Sequence, residues 1–312
     1  MSRPERRPNG ISAVVRVRGE EEWLEPCVRS IEGFADDIVV LDNGAAPPTA
    51  DTLDRLCRDL GPRLRIERCP DLDLLALSNR GLEIARSRWV IRWDADFVAR
   101  TEGEHDIGRL REWLLGLDPR RYHLVYVPAV EVAGDLAHQF PDRRIRLDGS
   151  AHTASPRARY VAVERDLPLA SLSHADRVWR EGSAFRVRFE SLSVPRSYRV
   201  HRWPVAAYFH VDVKSRRHML LRHFWLEWLR EAANGGAPTL EAYAHARAAD
   251  RWGISDPAAA ADALVARYCA GLVPFDLSRC GPYPAALRTY LDKPRYRLEY
   301  AGGRIVGRAE LV

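Results

Sequence analysis

Four short runs rich in apolar and β-branched residues recur within the first hundred positions, and their spacing constrains the fold more than anything else in the chain. They are Ile11 to Arg18, Ile38 to Leu41, Leu64 to Glu67, and the run from Arg88 that ends in Trp93-Asp94-Ala95-Asp96. Between them lie segments with a helical pattern. Trp23, Leu24, Cys27, Val28 and Ile31 form one apolar face, and Thr52 to Leu60 and Leu74 to Ala85 make two further helices. Strands alternating with helices at this spacing predict βαβ units and hence a parallel sheet. Asp42, Asp94 and Asp96 then all fall at C-terminal strand ends, the edge at which open α/β sheets bind ligands.

The fourth run carries the chemistry. Side chains two apart on an extended strand point the same way, so Asp94 and Asp96 offer oxygen donors to one divalent cation, directly or through water. Two acids at the end of a buried strand repel each other unless something positive neutralises them. A metal carrying a phosphate would do so, although an acidic pair can equally begin a loop.

Several function classes are disfavoured. No Gly-x-Gly-x-x-Gly follows the first strand and no Gly-x-x-x-x-Gly-Lys-Ser/Thr occurs, which argues against a dinucleotide dehydrogenase or a P-loop NTPase. The net charge of +5 comes with arginines spread along the chain and no long Lys/Arg run, which suits phosphate-bearing small molecules as well as nucleic acid, so charge alone decides nothing. The five cysteines include no Cys-x-x-Cys pair, which fits free thiols in a reducing cytoplasm. No apolar stretch has the length of a transmembrane helix. With 46% hydrophobic and 29% charged residues over 312 positions, the chain can build a large α/β body.

Residues 11–97 resemble the nucleotide-binding half of family 2 glycosyltransferases, which have the GT-A fold. Val14 to Glu21 is similar to the family's opening strand and turn, and Asp37 to Gly44 to its second strand, which ends in an Asp that contacts the nucleotide. Asn79-Arg80-Gly81 matches the helix whose Asn-x-Gly precedes the metal strand, and Asp94-Ala95-Asp96 falls where the family's Asp-x-Asp belongs. There are departures: Gly19 replaces an Asn, Ser78 replaces a basic residue, and Ala45-Ala46-Pro47-Pro48 replaces Ser-Thr-Asp. Arg16 or Arg80 would supply the missing positive charge. The resemblance implies that Asp42 contacts the nucleotide with Glu20 and Asn79 or Arg80 nearby. It also implies that Asp96 holds a Mn²⁺ or Mg²⁺ ion with the aid of Asp94.

The second half is harder to read. Ile107 to Leu117 predicts a helix and His123 to Val130 a strand that Pro128 bends or places at an edge. Inverting transfer needs a carboxylate to take the acceptor's proton. Asp176, Glu181 and Glu190 are candidates, Glu181 being favoured. His210, after an apolar run and before a helix beginning near Ser215, matches the late metal-binding His of many GT-A relatives. A half-buried, hydrogen-bonded His is the equal alternative. Lys214, Arg216 and Arg217 would hold the departing diphosphate, or form the exposed basic face of that helix. On the helix, Leu221, Phe224, Trp225 and Trp228 make an apolar stripe, usually core. Residues 240–270 read as a helical cap broken at Gly253 and Pro257, and 297–308 as a closing hairpin around Gly302-Gly303.

The expected plan is therefore a short disordered lead (1–10) and a nucleotide-sugar-binding α/β half (11–130). An acceptor-binding half (131–213) and a helical C-terminal extension with a closing hairpin (214–312) complete it. The expected fold is of GT-A type, with a mostly parallel sheet flanked by helices. The expected function is cytoplasmic, metal-dependent transfer from a nucleoside diphosphate sugar to a small-molecule, glycan or lipid-linked hydroxyl acceptor. No nucleic-acid partner is expected, and a homodimer is compatible with the sequence. The rivals are a sugar-nucleotide pyrophosphorylase, which needs a basic Gly-rich loop where Gly19-Glu20-Glu21-Glu22 stands, and a non-catalytic basic binding protein.

Overall fold

The four early runs form parallel strands in the computed structural model, which describes residues 7–19, 22–70, 72–142, 145–166, 177–181, 184–233 and 238–311. In chain order these are β1 (Ile11–Gly19), α1 (Leu24–Ser30), β2 (Asp37–Ala45), α2 (Pro47–Leu60), β3 (Leu64–Arg68), α3 (Leu74–Ile84) and β4 (Trp89–Asp94). The strands lie in the order β3-β2-β1-β4, all parallel. β1 is buried from Ile11 to Val15 without alternation, as a strand covered on both faces must be. Val15 and Val17, with Trp93 of β4, face α1 and α2 through Leu24, Val28, Leu53 and Leu56. Val14, Val39, Leu41 and Val90 face α3 through Leu77. The sequence places the second helix at Thr52, but α2 starts at Pro47, whose fixed φ and missing N–H suit a first helical turn. The lead is engaged where it is described: the Pro8 and Gly10 carbonyls accept from the Arg88 and Trp89 amides.

Beyond β4 the chain continues through β5 (Phe97–Ala99), α4 (Ile107–Gly116), β6 (His123–Ala133), β7 (His138–Gln139) and β8 (Ile145–Thr153). Then come β9 (Arg159–Asp166), β10 (Arg177–Glu181), β11 (Ala184–Ser193), β12 (Arg199–Arg202) and β13 (Tyr208–Asp212). The main sheet extends as β4-β8-β6-β13-β5, with β12 also on β6. β8 runs antiparallel to β4 and β6, and β5 antiparallel to β13, so a mostly parallel sheet carries two reversed strands. Pro128 sits in an interior strand at a break in register between Val127 and Ala129, where its missing N–H does least harm. β9, β10 and β11 form a separate antiparallel arm.

The C-terminal region holds α5 (Arg216–Ala233), α6 (Leu240–Trp252), α7 (Pro257–Cys269), β14 (Val273–Pro274), α8 (Leu277–Cys280), α9 (Arg288–Asp292), β15 (Tyr296–Ala301) and β16 (Arg304–Glu310). Gly253 ends α6 at φ +68°, and Asp256 caps α7 just before Pro257. The stripe on α5 is mostly core. Phe224 is buried, and Leu221 and Trp228 pack beside it on a cluster with Tyr243 and Ala260. Asn234 to Gly236, the expected end of this helix, lie outside the described residues. β15 and β16 pair as the closing hairpin, with Gly302 and Gly303 both at positive φ in its turn. Among the described residues no helix is long and apolar enough to cross a membrane.

Two predictions follow from how α3 and β2 are seated. A Cβ on Gly81 would lie 2.5 Å from Val14 Cγ1 and 3.2 Å from Leu41 Cδ1, so α3 touches the sheet there. Gly81→Ala, which gains about 1 kcal/mol in an open helix, should here cost about 1–2 kcal/mol through overpacking, read from the denaturation midpoint. The buried Asp37 carboxylate accepts from Arg65 (2.8 and 2.9 Å) and Ser12 (2.9 Å). Burial raises its pKa, but these partners outweigh that and hold it below its ordinary 3.8. A depressed acid stabilises the fold above its unfolded pKa and loses that contribution as pH falls through the folded value. Asp37→Asn should thus be about 2 kcal/mol less stable at pH 7, with the gap to wild type closing below about pH 4.

Candidate active site

The two carboxylates at the end of β4 take different partners. β5 turns back to pair antiparallel with β13, setting His210 opposite Phe97, and the Val211 amide donates to the Asp96 carbonyl at 2.9 Å. This register delivers Asp96 to the base of α5. Its Oδ2 lies 2.7 Å from Lys214 Nζ and 3.5 Å from His210 Nε2. Trp93 pins the turn from below, its Nε1 donating to the Phe97 carbonyl at 3.0 Å. Asp94, one residue inside the turn, meets Arg16 directly across β1. Arg16 Nη2 donates to Asp94 Oδ1 at 2.9 Å, and Arg92 Nη2 to Oδ2 at 3.3 Å.

Both arginines reach on to a third acid. Arg16 Nη1 and Arg92 Nη1 donate to Glu190 of β11 at 3.0 and 3.1 Å, and Ser78 Oγ donates to it at 2.5 Å. Two guanidiniums and two carboxylates thus alternate in a ring, with Glu190 only 5% exposed. Tyr160 lies beside it, its phenol pushed up to about 12 by burial. A cavity of about 10 Å³, lined by Arg16, Ser78, Arg92 and Tyr160 among others, is the size of a single water.

The electrostatics follow from these contacts. Burial pushes the Asp96 carboxyl up, and the Lys214 ammonium and His210 more than offset it, so its pKa falls well below the usual carboxylate range. Burial likewise raises Asp94, and Arg92 and Arg16 bring it down. Lys214 is lowered by burial but raised on balance by Asp96 and Asp212. Asp212 is itself held by Arg222 at 3.1 Å and Tyr268 at 2.8 Å.

A carboxylate oxygen and an imidazole nitrogen 3.5 Å apart fit one cation with ligand bonds of about 2.1 Å, and this donor set suits Mn²⁺. Among the described residues no group of three His, Cys, Asp or Glu converges on a common centre. Asp96 and His210 would hold the ion, leaving other positions to water or substrate oxygens. Lys214 shares the same Asp96 oxygen.

The remaining expected residues are dispersed. Asp42 is across β1 from Asp94, opposite Val17, and its Oδ1 accepts from the Gly44 and Ala45 amides at 3.0 and 2.8 Å, closing the turn. Asn79 exchanges hydrogen bonds with the Tyr160 backbone, and Arg80 pairs with Glu67 and Glu83 on the outside of α3. Of the two arginines offered as replacements for the basic residue at position 78, Arg16 is the one beside Ser78, at 3.0 Å. Arg216 and Arg217 make exposed pairs with Asp262 and Glu241. Glu20 and Asp176 lie outside the described residues, as does the side chain of Glu181 on β10. Sequence reasoning missed Arg92 and Asp212. The signal for Arg92 was present, since it stands two residues before Asp94 and so shares its face of β4.

No curated protein sequence matches the chain. Among solved structures it is similar to S. aureus TarS 1–349 in complex with UDP-GlcNAc, at 11% identity and a TM-score of 0.39, covering 76% of this chain and 69% of that one. It is also similar to a Pyrobaculum calidifontis mannosyltransferase in complex with GDP-Man and Mn²⁺, at 15% identity and a TM-score of 0.38, covering 94% and 81%. Residues 12–104, which run from β1 past Asp94 and Asp96, match the model of glycosyl transferase family 2, and this segment has the sequence pattern of that family.

Proposed function

We propose that this chain is a glycosyltransferase moving a sugar from a nucleoside diphosphate sugar to a hydroxyl acceptor, with a divalent cation held by Asp96 and His210. One observation carries the reading: Asp96 meets His210 and Lys214 at the C-terminal edge of β4, inside the segment that matches the family. Mn²⁺ or Mg²⁺ bound there would supply neutralisation of the charge that builds on the departing phosphate. Lys214 would do the same from the chain's own side, passing from Asp96 to a phosphate oxygen. Asp42, with Glu20 following β1, would receive the nucleotide. Asp94, oriented by Arg16 and Arg92, would face the ribose or aid in holding the cation through water. Asn79 and Arg80 border the nucleotide site from α3.

Glu181 is the proposed base that takes the acceptor's proton. Glu190, an acid of the arm whose side chain is described, is engaged by three donors and sheltered from solvent. The acceptor would be a small-molecule, glycan or lipid-linked hydroxyl. Free cysteines, four of them buried, suit a reducing cytoplasm.

Calorimetry with a panel of uridine and guanosine diphosphate sugars, with and without Mn²⁺, should show one donor bound more tightly with the metal. Asp96→Asn should lower donor hydrolysis and transfer at least 100-fold, about 2.7 kcal/mol of barrier, while far-UV circular dichroism stays native. Full turnover by that variant, or by wild type in excess chelator, would overturn the metal's role. Pyrophosphate release from a nucleoside triphosphate and a sugar phosphate would replace transfer by pyrophosphorylase chemistry.

A further inference from the structure

The segment that carries Lys214, between β13 and α5, is held from outside at four consecutive residues. Trp23 Nε1 donates to the Val213 carbonyl at 2.5 Å. Arg308 Nη2 donates to the Lys214 carbonyl at 2.7 Å. The Ser215 amide donates to Glu22 Oε1, and the Arg216 amide to Glu310 Oε1, both at 2.6 Å. Two of these partners come from the turn after β1 and two from β16, roughly ninety residues further along the chain. None belongs to β13 or α5. The turn is also joined to the start of β15, the strand paired with β16. Tyr296 donates its phenol hydrogen to Glu22, and Arg295 Nη1 donates to the Glu22 carbonyl at 2.8 Å.

Arg308 is the centre of this arrangement. Its side chain is 1% exposed. It also donates to the Gly134 carbonyl at 3.0 Å at the end of β6 and to Glu310 at 3.1 Å, and its guanidinium lies 4.4 Å from the centre of the Tyr296 ring. A buried guanidinium that spends its donors on backbone carbonyls of two separate segments fixes the distance between them. Glu22 and Glu310 place carboxylates on the Ser215 amide just before α5 and on its first amide, Arg216, at the end where a helix leaves donors unsatisfied.

We infer that the C-terminal hairpin is a positioning element of the active centre, with Arg308 the residue that sets Lys214 against Asp96. The inference rests on the glycosyltransferase reading and deepens it. Lys214 is a long side chain whose ammonium must reach a narrow target, and its backbone is fixed by residues from outside β13 and α5. Through Glu22 the same hairpin ties the turn after β1 to Lys214, so both sides of the donor site share one support.

The test compares wild type, Arg308→Met, Arg308→Lys and, as a control on the same hairpin, the exposed Arg304→Met. Two readouts are taken: hydrogen exchange of the 213–216 amides, and steady-state turnover of the nucleoside diphosphate sugar found in the calorimetric panel. Arg308→Met should speed exchange of the Ser215 and Arg216 amides and lower kcat tenfold or more, with KM for the donor changed less than threefold. Arg308→Lys should recover part of kcat, and Arg304→Met should match wild type. Wild-type turnover that Arg308→Met leaves unchanged, or a loss confined to KM, overturns the positioning role alone. A wild-type chain that turns over no nucleoside diphosphate sugar overturns the glycosyltransferase reading and the positioning role with it.

Discussion

Charge neutralisation at the end of β4 is the constraint on which the rest of this structure depends. Removing a carboxylate from water costs several kcal/mol, and two of them two residues apart also repel each other. The chain meets this with four basic side chains from three places: Arg92 on β4 itself, Arg16 on the neighbouring strand, and His210 and Lys214 from the far side of the sheet. Each acid thereby recruits a different part of the molecule. Asp94, through its arginines and Glu190, is linked to the antiparallel arm, whereas Asp96 is linked to β13 and the base of α5. The C-terminal end of a six-residue strand is therefore tied to two later regions of the chain.

That division explains what could be read from the sequence. The parallel order of β1 to β4 was legible because each strand is a short apolar run closed by a turn and followed by a helical period. Those signals are local. The meeting of Asp96 with His210 was anticipated from a resemblance, and the register of β5 on β13 is its physical cause; no periodicity encodes that register. The arm was illegible for a different reason. Its strand β11 does alternate, as Phe185-Arg186-Val187-Arg188-Phe189-Glu190, but that period does not say what the arm packs on, and one of its links to the body is an ion pair between Glu190 and Arg16, 174 residues apart. Likewise Asn79 and Arg80 are neighbours in the motif but diverge in space, because successive residues on a helix face different directions.

The functional reading places the two halves in unequal roles. The segment matching the family supplies Asp42, Asp94 and Asp96, an acidic set with no cation of its own at Asp96. His210 and Lys214 arrive from beyond residue 200, so neutralisation of that acid is completed only when the later chain has packed. On the proposed function, a metal and a diphosphate would meet positive groups that come from an element placed separately from the segment matching the family.

Asn79 illustrates how narrow the chemical tolerance of one position can be. Its Oδ1 accepts from the Tyr160 amide at 2.9 Å while its Nδ2 donates to the Tyr160 carbonyl at 3.0 Å. A helix side chain here does what a neighbouring strand would do, presenting one acceptor and one donor to the same residue of β9. Aspartate has nearly the same shape but lacks the donor, and would set a negative charge against a carbonyl oxygen. Carboxamide rather than size is therefore the selected property, and the arm is attached to α3 at a point that a single change from nitrogen to oxygen would undo.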